Sequence, residues 1–333
     1  MQKAPYPNRI QLMELEEKRL RLLEKIKEVY PANYEAVIKN LREKESISFR
    51  INTLKAGENE FQENQKARVL NELTSEGFEI NPGPIAGSFL CTKNSQKRLS
   101  ESNVFNKHEI YIQDLSSMIP ALVLGPKENE TVIDLCAAPG SKTTQIADLT
   151  LNKATIYAVE SARERFFALK RNLADYGVSN ANLILANSIG LDRKYPNFTT
   201  MFDKVLVDAP CTNEARMDLA NPKTYQFWNP KKYKEMSRVQ KGILITGIRL
   251  MKEGGTLIYS TCTFNPEENE LVIDWLLDKF PELSVEKIEL KEANTKEGFT
   301  NWKDRPLDPK IKNTLRILPN ELFSGFFIAK IKK

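Results

Sequence analysis

The sequence predicts an α/β protein, a doubly wound parallel sheet with a smaller α/β unit ahead of it. Three observations carry that expectation. From about residue 106, short apolar runs alternate with helix-length segments, the pattern of βα units around a parallel sheet. One run, Thr131–Leu135, opens into the small-residue turn Ala137–Ser141, which contains Pro139 and Gly140, and then into a helix reaching about Leu149. The first 105 residues read instead as helices and two strands with Lys and Arg scattered among them, so the expected units are 1–105 and 106–333.

In chain order, Leu12, Leu15, Leu22, Leu23 and Ile26 fall near helical spacing within residues 8–43, and Pro31 separates a second helix over Ala32–Leu41. Alternating Ile47, Phe49 and Ile51 make a strand, and Gln65–Leu73 a helix that Gly77 can stop. Asn81–Pro84 (NPGP) reads as a turn and Ser88–Thr92 as a strand. In the larger unit, strands are expected at Thr131–Leu135, Ala154–Val159, Asn180–Asn187, Asp203–Ala209 and Gly255–Cys262. Helices are expected over Arg163–Tyr176, from about Pro230, and over Glu267–Phe280, and Gly325–Lys332 (GFFIAKIK) closes the chain.

Composition narrows the function. A net charge of +5 permits a nucleic-acid partner without requiring one. No apolar run is long enough to span a membrane and none resembles a signal peptide. The four cysteines, Cys91, Cys136, Cys211 and Cys262, form no C-x-x-C pair, and His108 is the one histidine. Neither a zinc site nor a disulfide framework is expected, and the chain reads as cytoplasmic with free thiols.

The strand–turn–helix at Thr131–Leu149 is a cradle of the nucleotide-binding type, with Ser141 as the expected N-cap and unpaired N–H groups at the helix mouth. It is not a P-loop, because Ser141 precedes Lys142 where glycine is required. It is not the G-x-G-x-x-G fingerprint either, since Gly140 stands alone. The strand after it ends at Glu160, where a carboxylate binds ribose hydroxyls in doubly wound sheets. That pattern suits adenosine ligands, S-adenosylmethionine included, while the turn alone also fits an ordinary βα connection. Two more strands end in cysteine-bearing turns, Asp208-Ala209-Pro210-Cys211 and Ser260-Thr261-Cys262. All of these belong on the carboxyl edge of one sheet.

With these residues in view, the chain resembles the RNA cytosine-C5 methyltransferases, the family of the bacterial 16S rRNA enzymes and the Sun proteins. The matching stretches are FRINTLK (Phe49–Lys55), YIQDLSS (Tyr111–Ser117), DLCAAPGSKT (Asp134–Thr143), VDAPC (Val207–Cys211), STCTFNPEENE (Ser260–Glu270) and GFFIAK (Gly325–Lys330). The resemblance implies a Rossmann-like class I methyltransferase sheet, an RRM-like N-terminal domain, and S-adenosylmethionine held by Cys136, Ala137, Ala138, Pro139, Gly140, Ser141, Lys142, Glu160, Asn187 and Asp208. It implies Cys262 as the nucleophile toward cytosine C6, Cys211 in product release and Asp208 against the base. A thiolate at C6 makes C5 an enamine-like carbon that can attack a sulfonium methyl group. The DNA enzymes of this chemistry use the Pro-Cys position as nucleophile, so the presence of both cysteines implies RNA.

Departures are Ser141 where the family has glycine, Asn187 where it has aspartate, and TNEARMD after Cys211 where many members have a shorter Ser-Gly-rich loop. The compact chain resembles tRNA-modifying members more than rRNA enzymes, and a monomer without metal is expected. The rivals are an rRNA enzyme, a non-catalytic RNA-binding or assembly factor, and a small-molecule or protein methyltransferase. In Thr224–Lys241, Tyr225, Phe227, Trp228 and Tyr233 interleave with Lys and Arg, which suits base stacking or a helix with a core-facing aromatic side.

Overall fold

The computed structural model describes residues 9–42, 44–56, 61–92 and 96–333, with side chains from residue 13 onward except 96 and 97. Residues 8 and 43 and the Leu12 side chain of the expected first helix lie outside the described part.

The chain begins with helices α1 (Arg9–Val29) and α2 (Tyr34–Lys39). It continues through β1 (Ser46–Ile51), α3 (Gln62–Ser75), β2 (Ile80–Pro82), β3 (Ser88–Thr92), α4 (Gln96–Leu99), α5 (Asn103–Asn106) and β4 (Ile110–Ile112). These four strands form an antiparallel sheet in the order β2-β3-β1-β4. Val69 and Leu73 of α3 pack on its Phe49 and Phe89. Two expectations shift here. Asn81 and Pro82 of the expected NPGP turn pair with Leu90 and Phe89, so the reversal falls later, around Gly83–Gly87. The sheet takes its last strand from residues 110–112, past the division expected at 105/106.

The larger sheet follows: α6 (Leu115–Leu124), β5 (Thr131–Asp134), α7 (Ser141–Leu149), β6 (Thr155–Glu160), α8 (Arg163–Asp175), β7 (Ala181–Leu185), α9 (Leu191–Lys194), β8 (Phe202–Asp208), α10 (Lys232–Leu250), β9 (Met251–Thr261) and α11 (Glu270–Lys279). Short strands β10 (Ser284–Glu286), β11 (Thr295–Glu297), β12 (Asn301–Trp302), β13 (Arg305–Pro306) and β14 (Leu315–Ile317) lead to β15 (Phe326–Lys332). Strands β9-β8-β5-β6-β7 are parallel neighbours, as expected. The other edge is antiparallel: β15 pairs with β9, then β14 with β15 and β11 with β14. Parallel pairing needs a crossover of a dozen residues or more, and only a short loop joins β14 to β15.

Alternate residues of each parallel strand enter opposite cores. Val132, Leu206 and Ile258 meet α6 and α7, while Ile133, Val205, Val207 and Leu257 meet α10 and α11. Burying Ile243, Leu244 and Ile248 of α10 contributes roughly 1.5–3 kcal/mol each. Gly247 permits that approach: a Cβ there would lie 2.8 Å from Leu257 Cδ1.

The FRINTLK stretch docks the small sheet onto the large one. Buried Arg50 pairs with Asp148 at 3.3 Å and donates to Thr144 Oγ1 at 2.6 Å, both on α7. Thr53 donates its N–H and hydroxyl to Asp148, and Asn52 donates to the Tyr176 carbonyl. Helices α1 and α2 leave that unit: Leu22, Ile26, Val29 and Val37 pack with Tyr225, Trp228, Tyr233, Phe264 and Leu318. Three of the four aromatics in 224–241 are therefore core residues, and Phe227 alone among them is 80% exposed.

Candidate active site

The strand order reverses between β5 and β8, and a crevice opens beyond the carboxyl ends of the strands at that point. A cleft of about 770 Å³ lies there. Every residue the sequence assigned to the site lines it except Gly140.

On the β5 side, buried Asp134 accepts from the Cys136 N–H at 3.2 Å and the Thr143 hydroxyl at 2.8 Å, which folds the Cys136–Gly140 turn back over α7. Burial raises the Asp134 carboxyl to about 6, against hydrogen bonds from Thr143 and Cys136. Burial likewise raises the Cys136 thiol, so Cys136 lines the cleft as a neutral group. Gly140, rather than the expected Ser141, is the N-cap. It sits at φ 113°, a left-handed conformation suited to glycine, and a Cβ there would come 3.1 Å from Leu169 Cδ1. Ser141 is the first helical residue, so its hydroxymethyl group fits without strain. Arg165 and Asn172 of α8 donate to the Ala138 and Pro139 carbonyls at 2.6 and 2.8 Å and pin the turn.

Glu160 ends β6, 4% exposed, accepting from the Ala162 N–H at 2.8 Å and pairing with Arg165 at 3.3 Å. Asn187 lies two residues past β7, and its side-chain carbonyl accepts from the Ile189 N–H at 2.9 Å. The residues present fit S-adenosylmethionine: a glycine-turned cradle, and a buried carboxylate one strand away.

On the β8 side, Asp208 is held from two directions. Buried Lys142 donates to its Oδ2 at 2.6 Å and Ser260 to its Oδ1 at 2.8 Å, while Ser117 accepts from Lys142 at 2.8 Å. One chain of contacts thus joins the YIQDLSS, CAAPGSKT, VDAPC and STC stretches. The Cys211 and Cys262 sulfurs lie 3.3 Å apart as free thiols. The hydrogen bond from Cys211 lowers the Cys262 thiol below its ordinary range, aided by the Arg216 and Lys142 charges against burial. Cys211 is pushed well up by the same bond and by burial. The Asn213 amide, 2.8 Å from Cys262 Sγ, accepts from the thiol as placed, and the reversed amide offers N–H to a thiolate.

Sequence reasoning missed Asn213 and Arg216, which line the cleft from the loop after Cys211. Arg216 is exposed at its mouth, and its guanidinium makes no hydrogen bond among the described residues. Their only signal was that TNEARMD departs from the usual loop.

A doubly wound sheet with an adenosine-type cradle at its switch point, beside a pair of thiols one of which has a lowered pKa, defines the class of S-adenosylmethionine-dependent methyltransferases. Comparison with known proteins carries this further. The family described as 16S rRNA methyltransferase RsmB/F matches residues 121–332, and the chain belongs to that family of RNA cytosine-C5-methyltransferases. A Pyrococcus abyssi protein named tRNA (cytosine(49)-C(5))-methyltransferase is 36% identical over 86% of this chain and 88% of its own length. A mouse 28S rRNA (cytosine-C(5))-methyltransferase is 31% identical over 94% of this chain, which spans 38% of that relative. A methyltransferase homolog from Pyrococcus horikoshii, solved by crystallography, superposes with a TM-score of 0.79 at 31% identity, over 98% of this chain and all of its own.

Proposed function

We propose that this enzyme methylates C5 of a cytosine in tRNA through a covalent adduct at C6, acting as a cytoplasmic monomer. The observation that carries the covalent route is the pair of thiols 3.3 Å apart, with Asp208 held by Lys142 and Ser260 in the same cleft. Cys262 has the lowered pKa, so it attacks C6 and forms the carbon–sulfur bond. The Lys142–Asp208 pair supplies a hydrogen bond at N3, where negative charge develops. Bound S-adenosylmethionine supplies the electrophilic methyl group that C5 takes. Cys211 assists loss of the C5 proton, after which the carbon–sulfur bond breaks and Cys262 is released. A base inside folded RNA must first be unstacked, and the open cleft mouth at Arg216 suits an extruded nucleotide.

The Pyrococcus abyssi relative, matched along most of both chains, supports tRNA over rRNA. The intact thiol pair disfavours a non-catalytic RNA-binding factor. Cys262→Ala is expected to abolish methylation and form no adduct. Cys211→Ala is expected to accumulate a protein–RNA adduct stable to denaturing electrophoresis, which disappears in the double variant. A stable adduct in Cys262→Ala mapped to Cys211 reverses the roles, and full activity in both single variants ends the covalent reading. Bisulfite sequencing of total RNA with and without the protein identifies the RNA class.

A further inference from the structure

Behind the thiol pair lie two carboxyl groups that do not line the cleft, Glu214 at 2% exposure and Glu268 at 0%. They meet at the residues that follow the two cysteines. Glu214 Oε2 accepts from Thr212, next to Cys211, at 2.8 Å, and from Thr263, next to Cys262, in a short contact. Its Oε1 accepts from Trp228 Nε1 at 2.8 Å. Glu268 Oε2 accepts from the Thr212 N–H at 3.2 Å and from Gln240 Nε2 at 2.9 Å. Glu268 Oε1 makes a short contact with the same Thr212 hydroxyl.

A threonine hydroxyl carries one proton, and Thr212 faces a carboxyl oxygen on each side. It can donate to one of them, so the other contact needs a proton from a carboxyl group. Glu214 already accepts from Trp228 and Thr263, and a charged group collects donors in that way. Both N–H donors of Glu268 reach Oε2, which leaves Oε1 to carry the proton.

We propose that Glu268 is a neutral acid that donates through Thr212 to Glu214, and that this chain fixes the Cys211 turn against the Cys262 segment, making Glu268 a positioning residue for the thiol pair. The proposal rests on reading that pair as catalytic. Burial, and then Glu214, raise the Glu268 carboxyl to about 8, which agrees with the donor count. The titratable groups facing it are Glu214, which disfavours a second negative charge there, and Cys211, Tyr233 of α10 and Tyr259 of β9, all raised and therefore neutral.

The test uses the full chain, Glu268→Gln and Glu268→Ala. Glutamine copies the neutral acid: its amide donates to Thr212 and its carbonyl accepts from Thr212 and Gln240. The infrared difference between wild type and Glu268→Gln at neutral pH is expected to show the stretch of a protonated carboxyl, fading as pH rises past 8. Glu268→Gln should methylate at near wild-type rate at neutral pH and lack the alkaline decline that deprotonation of Glu268 gives the wild type. Glu268→Ala should lose roughly tenfold or more, because two donors and a hydroxyl are left unpaired. Absence of the infrared band, or a Glu268→Gln variant as impaired as Glu268→Ala, overturns the proposal. The infrared band needs no RNA, so a wild type that methylates no RNA defeats the proposed function while the band still decides the protonation of Glu268.

Discussion

Arg316 of β14 offers a sharp test of how the segment beyond Cys262 is held. It is 1% exposed and binds both oxygens of Glu270, which is fully buried at the start of α11, with Nε at 2.5 Å from Oε1. Its Nη1 donates to the Tyr30 hydroxyl at 2.7 Å and to the Phe264 carbonyl at 2.9 Å. One guanidinium therefore ties β14, α11, the chain after α1 and the segment two residues past Cys262. Arg316→Met keeps most of the apolar volume and removes every one of those donors. Glu270 then keeps the Phe299 N–H at 3.1 Å as its one remaining side-chain hydrogen bond among the described residues. Breaking a buried pair in this way costs about 3–5 kcal/mol. The lower end applies here, because the α11 N-terminus favours a carboxylate. For a chain this long, about 2 °C is lost per kcal/mol, so at that lower end Tm should fall by roughly 6 °C. Adding Glu270→Gln removes the stranded charge, and the double variant should recover about half of the loss or more. Thermal unfolding at low and high salt is the assay, and the difference should change little with salt because the pair is shielded from solvent. A fall under about 2 °C in the single variant, or a double variant that melts lower still, refutes the reasoning.

Two more predictions concern the cofactor cradle. Glu160→Ala is expected to weaken S-adenosylmethionine binding measured by calorimetry, and unchanged affinity removes Glu160 from the site. Asp134 carries a raised pKa, so its stabilising contribution is complete below the ordinary value of 3.8 and is lost as pH rises through about 6. Asp134→Asn should therefore be less stable than wild type near pH 4 and gain on it up to about pH 6, after which the two curves run parallel. A constant difference in melting temperature across that range contradicts the assignment.

The legible parts of this chain were those decided by neighbours in sequence. Thr131–Leu149 was read correctly because strand, turn and helix follow one another, and only the cap moved, from Ser141 to Gly140. What depended on distant segments was less visible. The apolar stripe of α1 announces a buried face, but Tyr225, Trp228 and Phe264 lie some two hundred residues away, and nothing local says that the helix leaves the first unit for them. The antiparallel direction of β15 is likewise a property of its partners. Nothing local marks Glu214 and Glu268 as buried, because their burial depends on donors from Thr212, Thr263, Gln240 and Trp228, brought together by the fold.

The pairing of β8 with β9 acts as a ruler for the chemistry. Asp208 stands opposite Ser260 in a parallel ladder that runs back to Lys204 and Thr256. Cys211 and Cys262 follow three and two residues beyond that rung, so their separation is inherited from the strand spacing of about 4.8 Å rather than set by a free loop. Side chains alternate faces along a strand, so losing one residue between Thr256 and Cys262 would turn a thiol away while leaving the sheet able to form. A substitution removes one side chain from the site, whereas a shift of register turns every side chain beyond it at once.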